Sequence, residues 1–258
     1  MGEWQSIALF SGVEWPAAER RVSYRGLDAF LLPETDESLP TLAAECPSGT
    51  DPDAALSAMR GLLSALSWTR RSSYPEFAVI GSGRKLPIGK APRDRARGWS
   101  AFEQFGVDGL PDPGHPDSQL GLALYREGLN ANSIPYKFLC LYKVINILGG
   151  NEVKQVAWIN ARLASLSDPE ALRRANELRG ERGNIGKYLY LDCRCAVAHA
   201  KTRPLVNPED PRDLRRLRSD LPLMTALAEH AIEHEIAGGL THGKPPEISE
   251  APGPVKGA

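Results

Sequence analysis

The sequence predicts an α+β protein, with a small N-terminal α+β domain followed by an all-α helical bundle. Three observations predict it. Over residues 1–83 the apolar side chains come in short runs bounded by turn formers. From about 118 they recur every three or four residues, and between the two regions lies a stretch crowded with glycine and proline. Short bounded runs mark strands, and recurrence near 3.6 marks amphipathic helices. A chain of 258 residues, 42% hydrophobic and 24% charged, has the composition of a soluble globular protein with a sizeable core.

Strands are expected at 4-WQSIALF-10, 21-RVSY-24, 28-DAFLL-32 and 76-EFAVI-80. Between them, 50-TDPDAALSAMRGLLSALSW-68 reads as a helix. Thr50 or Asp51 can cap it, Pro52 suits its first turn, and Leu56, Met59, Leu63 and Leu66 form a stripe that would pack on the sheet. Residues 84–117 read as an Arg/Pro/Gly-rich linker or long loop. The preceding GSG completes no nucleotide-binding fingerprint.

The helical domain is expected over 118–240. Leu120, Leu124, Tyr125 and Leu129 suggest its first helix, and 135-PYKFLCLYKVINIL-148, apolar nearly all round, a central one. Val153, Val156, Ile159, Leu163 and Leu166 mark a third, and 167-SDPE caps a fourth. Residues 184–200 read as one further helix. Leu217, Leu221, Met224, Leu227, Ala231, Ile232 and Ile236 line a long terminal one, and the tail at 241–258 is expected to be disordered.

A net charge of −1 gives no global nucleic-acid signal. Six basic residues do crowd into 84-RKLPIGKAPRDRAR-97, which reads first as a solvated loop and could also gather phosphates. No apolar run is long enough for a transmembrane helix, and the N-terminus lacks a signal-peptide pattern, so a cytoplasmic protein away from membranes is expected. Cys46, Cys140, Cys193 and Cys195 form no CxxC pair and read as buried thiols; on a helix the last two would point apart.

The candidate chemistry lies in 193-CRCAVAHAK-201, where Arg194 and His199 stand among small apolar residues. On one straight helix five residues turn about 500°, which leaves the two side chains roughly 140° apart. They would flank a groove or meet a second copy's pair rather than touch each other. Arginine offers phosphate a permanently charged donor fork, and histidine exchanges protons near neutrality. That combination suffices to cleave RNA with no metal and no cofactor. The structural alternative is a pair of polar side chains satisfied within a bundle. His230 and His234, four apart, have a spacing that suits zinc, but no third ligand can be named and a solvated helix face explains them as well.

The R-x4-H pattern late in a helical bundle resembles the motif of the HEPN superfamily. The stretches 60-RGLLSALSW-68, 135-PYKFLCLYKVI-145, 188-YLYLDCRCAVAHAK-201 and 207-NPEDPRDLRRL-217 are similar to one branch, the methylamine utilization protein J family. The resemblance implies a homodimer whose Arg194 and His199 pairs line a shared cleft and cut RNA. The products would be 2′,3′-cyclic phosphate and 5′-hydroxyl ends. Lys201, Arg203 and Arg215 would hold the RNA backbone. One departure is Cys195, where the superfamily commonly carries Asn, Asp or His; a thiol is a weak donor, which points to the alternative of a non-catalytic binding or accessory protein, for example in methylamine metabolism.

Overall fold

The computed structural model describes residues 3–47, 49, 51–90, 102, 105–199, 204–237 and 239–240. Part of the expected linker (91–101, 103 and 104) and the whole tail at 241–258 lie outside the described residues.

Five antiparallel strands make one sheet: β1 (Glu3–Leu9), β2 (Arg20–Tyr24), β3 (Leu27–Leu32), β4 (Thr41–Cys46) and β5 (Glu76–Ser82), in the order β2-β3-β4-β1-β5. The registers pair Ile7 with Leu42 on one side and with Val79 on the other, and Leu31 with Leu42. Period-2 alternation therefore puts Ile7, Leu9, Val22, Tyr24, Ala29, Leu31, Leu42 and Ala44 on one face. Helix α1 (Pro52–Arg70) covers that face with Met59, Leu62, Leu63 and Leu66. Asp51, accepting from the Asp53 N–H at 3.0 Å, caps it.

On the opposite face the β3–β4 connection meets the chain that follows β5. Leu39 and Ile88 pack on Ala8 there, the Lys85 ammonium lies 4.2 Å from the Phe30 ring centre, and Lys90 forms a wholly buried ion pair with Glu34 at 2.7 Å. Two basic residues of the 84–97 run are thus occupied within the fold. Further on, Phe105 joins the α1 face of the sheet and stacks under Arg70, and the Pro111 carbonyl accepts from the Tyr24 hydroxyl at 3.0 Å.

The helical half comprises α2 (Pro116–Asn130), α3 (Ile134–Ile147), α4 (Glu152–Arg162), a 3₁₀ turn (Leu163–Ser165), α5 (Pro169–Arg182), α6 (Ile185–Tyr188), a π-helical stretch (Leu189–Cys195), α7 (Ala196–Ala198), α8 (Pro211–His230) and a second π turn (Ala231–Glu235). Helix α3 is central, burying Phe138, Cys140, Leu141, Tyr142, Val144 and Ile145 between α2 and α8. Close approach on its α2 side depends on Gly128, where a Cβ would come within 3.1 Å of Leu141. The two halves meet along α1 and α2: Trp68 stacks edge-on against Tyr125 at 5.2 Å, Arg126 reaches Glu76, and Asn130 brackets the Tyr74 backbone.

Three sequence expectations are corrected. Strand β4 was not expected; its Ala-Ala centre has little strand propensity, and it forms because it sits between two partners. Val153 is exposed, since the α4 stripe turns inward only from Gln155 and Ile159. The single helix expected at 184–200 is instead α6, a π-helical stretch and α7 in succession, with His199 already extended beyond the end. Among the described residues no helix is long and apolar enough to cross a membrane.

Candidate functional site

The segment 185–199 is anchored at its start by a contact that only glycine permits. Gly186 presses against α4: a Cβ there would stand 2.5 Å from the Val156 carbonyl oxygen, so no other residue fits without a shift. The Gly186 N–H donates to Asn160 Oδ1 at 2.9 Å. Asn160 in turn donates to Asn184, whose side chain caps α6 by accepting from the Lys187 N–H.

Beyond this anchor the helix widens into i→i+5 hydrogen bonding, a geometry frequent at functional sites. A buried polar cluster holds the wide turn. Asp220, on the inner face of α8 and fully buried, accepts from Arg174 Nε at 2.9 Å and from the Tyr188 hydroxyl at 2.7 Å. The Cys193 thiol donates to the same carboxylate at 3.6 Å. One turn earlier on α8, Arg216 Nη1 donates to the Asp192 carbonyl at 3.0 Å and lies 3.3 Å from both the Tyr188 oxygen and Cys193 Sγ. Burial first, then their charged neighbours, push the Tyr188 hydroxyl and the Cys193 thiol far above their ordinary pKa values. Both stay protonated at neutral pH, which is what donating to Asp220 requires.

Arg194 leaves this cluster on the other side. Its guanidinium is half-buried 5.4 Å from the Tyr190 ring centre, and its Nη1 donates to Cys195 Sγ at 3.5 Å. Tyr190 packs edge-on against Tyr142, whose hydroxyl donates to Gln155 at 3.3 Å. Arg194 Nε is buried with no hydrogen-bond partner, and among the described residues no carboxylate pairs with the guanidinium. His199 is exposed; its backbone N–H donates to the Cys195 carbonyl at 3.0 Å, which closes the helix. Among the described residues no hydrogen bond or ion pair joins Arg194 to His199. The two cysteines do point apart: Cys193 faces Asp220 and Arg216, Cys195 faces Arg194, and all four cysteines are buried and free.

Of the expected backbone-binding residues, Arg215 is exposed on α8, while Lys201 and Arg203 lie outside the described residues. Its neighbours divide: Arg212 pairs with Asp210 at 2.9 Å, and Arg216 turns inward as described. The rings of His230 and His234 lie 4.6 Å apart, and no group of three metal-ligating side chains occurs among the described residues. His115 is half of a cap: its Nδ1 accepts from the Asp117 N–H at the start of α2.

Sequence reasoning missed Asp220 and Arg174. A signal was present for the first, because Asp220 stands three residues after Leu217 and four before Met224, on the buried stripe of α8. A carboxylate in that position needs buried partners. No comparable pattern marks Arg174.

Residues 121–233 match the family model described as Methylamine utilization protein MauJ, a span that runs from within α2 into the second π turn and includes the whole site. No curated protein and no solved structure matches the chain.

Proposed function

We propose that the helical half is a HEPN-type domain, and that Arg194 and His199 from two copies of the chain form a metal-independent endoribonuclease site. The observation that carries the reading is Arg194. Its neighbours Arg174 and Arg216 are fixed by Asp220, Glu177 and the π-segment backbone, whereas Arg194 has a thiol and an aromatic face but no carboxylate among the described residues. A half-buried, unneutralised guanidinium five residues before an exposed imidazole suits a phosphodiester.

In the reaction the ribose 2′-oxygen attacks the adjacent phosphorus and the bond from phosphorus to the 5′-oxygen breaks. The proton lost by the 2′-hydroxyl goes to one His199, and the leaving 5′-oxygen gains one from the other copy's imidazole. No water is consumed, and the ends are a 2′,3′-cyclic phosphate and a 5′-hydroxyl. Arg194 stabilises the charge that gathers on the phosphoryl oxygens. Exposed Arg215 adds a contact to the RNA backbone, with Lys201 and Arg203 following the histidine in sequence. Four free, buried cysteines fit a cytoplasmic setting.

Incubation with RNA in EDTA tests this. Cleavage to cyclic-phosphate ends is expected, with His199→Ala and Arg194→Ala each reducing it about 10²–10⁴-fold while the fold is kept. Absence of cleavage by the wild type, or unchanged cleavage by His199→Ala, ends the catalytic reading. A second reading is favoured by Cys195, whose thiol takes a donor of Arg194. It is a non-catalytic binding or accessory protein, for example in methylamine metabolism, which holds a ligand or partner in the same cleft and predicts no strand scission.

A further inference from the structure

The two edges of the sheet are finished differently. Edge strand β2 presents exposed Arg20 and Arg21, the latter paired with Asp28 across β3. Charges of this kind are how proteins keep an edge from pairing with another chain. Edge strand β5 has no such protection: 77-FAVIGSG-83 contains no charged residue and no proline. It is hydrogen-bonded to β1 on one flank, and Phe77, Val79 and Ile80 are 48%, 40% and 45% exposed. Phe10 extends the patch, 49% exposed and edge-on to Phe77 at 5.4 Å. The one charge at the start of the strand, Glu76, is taken up within its own chain by Arg60 and Arg126.

We propose that β5 pairs antiparallel with β5 of a second copy, joining two five-stranded sheets into one across a twofold axis at Val79. The charge pattern selects the occupant. An uncharged, apolar edge is matched by an identical uncharged edge with no like charges opposed. The β2 edge would bring Arg20 and Arg21 against apolar side chains and would extend without closing, as a fibre does. Val79 is the middle of the seven-residue strand, so a twofold there lets every residue of β5 pair. Facing residues in an antiparallel pair have Cα atoms about 4.5–5.5 Å apart, within the range a disulfide spans. This interface lies on the sheet and is independent of Arg194 and His199.

Light scattering on the full chain, with the native cysteines buried, tests the proposal. The Val79→Lys/Ile80→Lys variant is expected to halve the mass of the wild-type assembly while its circular dichroism stays unchanged. On mild oxidation Val79→Cys is expected to give a covalently doubled chain on a non-reducing gel, and Ser82→Cys, which would face Glu76 of the other copy, is not. A wild-type monomer at every concentration measured overturns the proposal. So does an assembly whose mass the double substitution leaves unchanged, or equal cross-linking by the two cysteine variants. A variant that loses its fold is replaced by Ile80→Thr, for which a weakened assembly is expected and an unweakened one counts against the edge.

Discussion

The two π-helical turns of this molecule are wide in the same way but are held differently. Leu189–Cys195 is clasped from the inside: Asp220 ties Tyr188, Cys193 and Arg174 together, and Arg216 serves the Asp192 carbonyl. Ala231–Glu235 rests on apolar contact and a surface ion pair. Ile232 and Ile236 pack where Gly121 leaves room, the Leu240 N–H donates to the Ile232 carbonyl, and Arg162 meets Glu235 at 2.7 Å. The histidines reflect the contrast. His199 is exposed beyond the clasped turn, whereas His230 lies half-buried beside His234 and Trp158. Fully satisfied buried networks define a single arrangement, while apolar seats accept several. The first turn can therefore fix where Arg194 points.

The sharpest way to break this contrast is Asp220→Ala. It removes the buried carboxylate shared by Arg174, Tyr188 and Cys193 and leaves Arg174 only the more exposed Glu177, and a loss of about 3–5 kcal/mol is expected in urea unfolding. Tyr188→Phe removes one hydrogen bond to the same carboxylate and should cost about 1.5–3 kcal/mol. On the second turn, Arg162→Ala breaks a partly exposed pair and should stay below about 1 kcal/mol. Equal losses for Asp220→Ala and Arg162→Ala would remove the distinction between the two turns.

The smallest effect expected is a pH dependence. Burial, then His234 and Arg162, hold the pKa of His230 below the ordinary 6.5, and only Glu235 raises it. The unfolded chain therefore binds this proton at higher pH than the folded one. The contribution to stability is present above the unfolded value of about 6.5 and is lost as pH falls through it towards the folded value. The urea midpoint should decline modestly between about pH 7.5 and 5.5, and His230→Gln should flatten that decline. An unchanged slope in the variant would place the titration elsewhere.

Elements with local punctuation could be read from the sequence. Asp51 with Pro52, Asp168 with Pro169, and the apolar run of α3 announce helices through their own residues, and each forms where expected. What depends on distant partners could not be read. Strand β4 forms because β1 and β3 flank it, and the wide turn at 189–195 arises where Arg216 and Asp220, more than twenty residues later, meet its polar groups. On a regular helix the five-residue step from Arg194 to His199 would set the two side chains roughly 140° apart. The actual helix changes pitch between them and ends before the histidine. The positions of the two residues were legible in the sequence, but their relation was not.

Helix α1 has one consequence for how this chain can be divided. Its middle seals the sheet with Met59, Leu62 and Leu63, and its last turn places Trp68 in the helical core against Tyr125. The match to the MauJ family model begins at residue 121, so the 60–68 stretch with its tryptophan lies outside it. A fragment cut at the family boundary would carry Arg194, His199 and Asp220 but leave Tyr125 facing water where an indole had been. The border of the span that the family model matches and the border at which the helical core is fully covered therefore do not coincide.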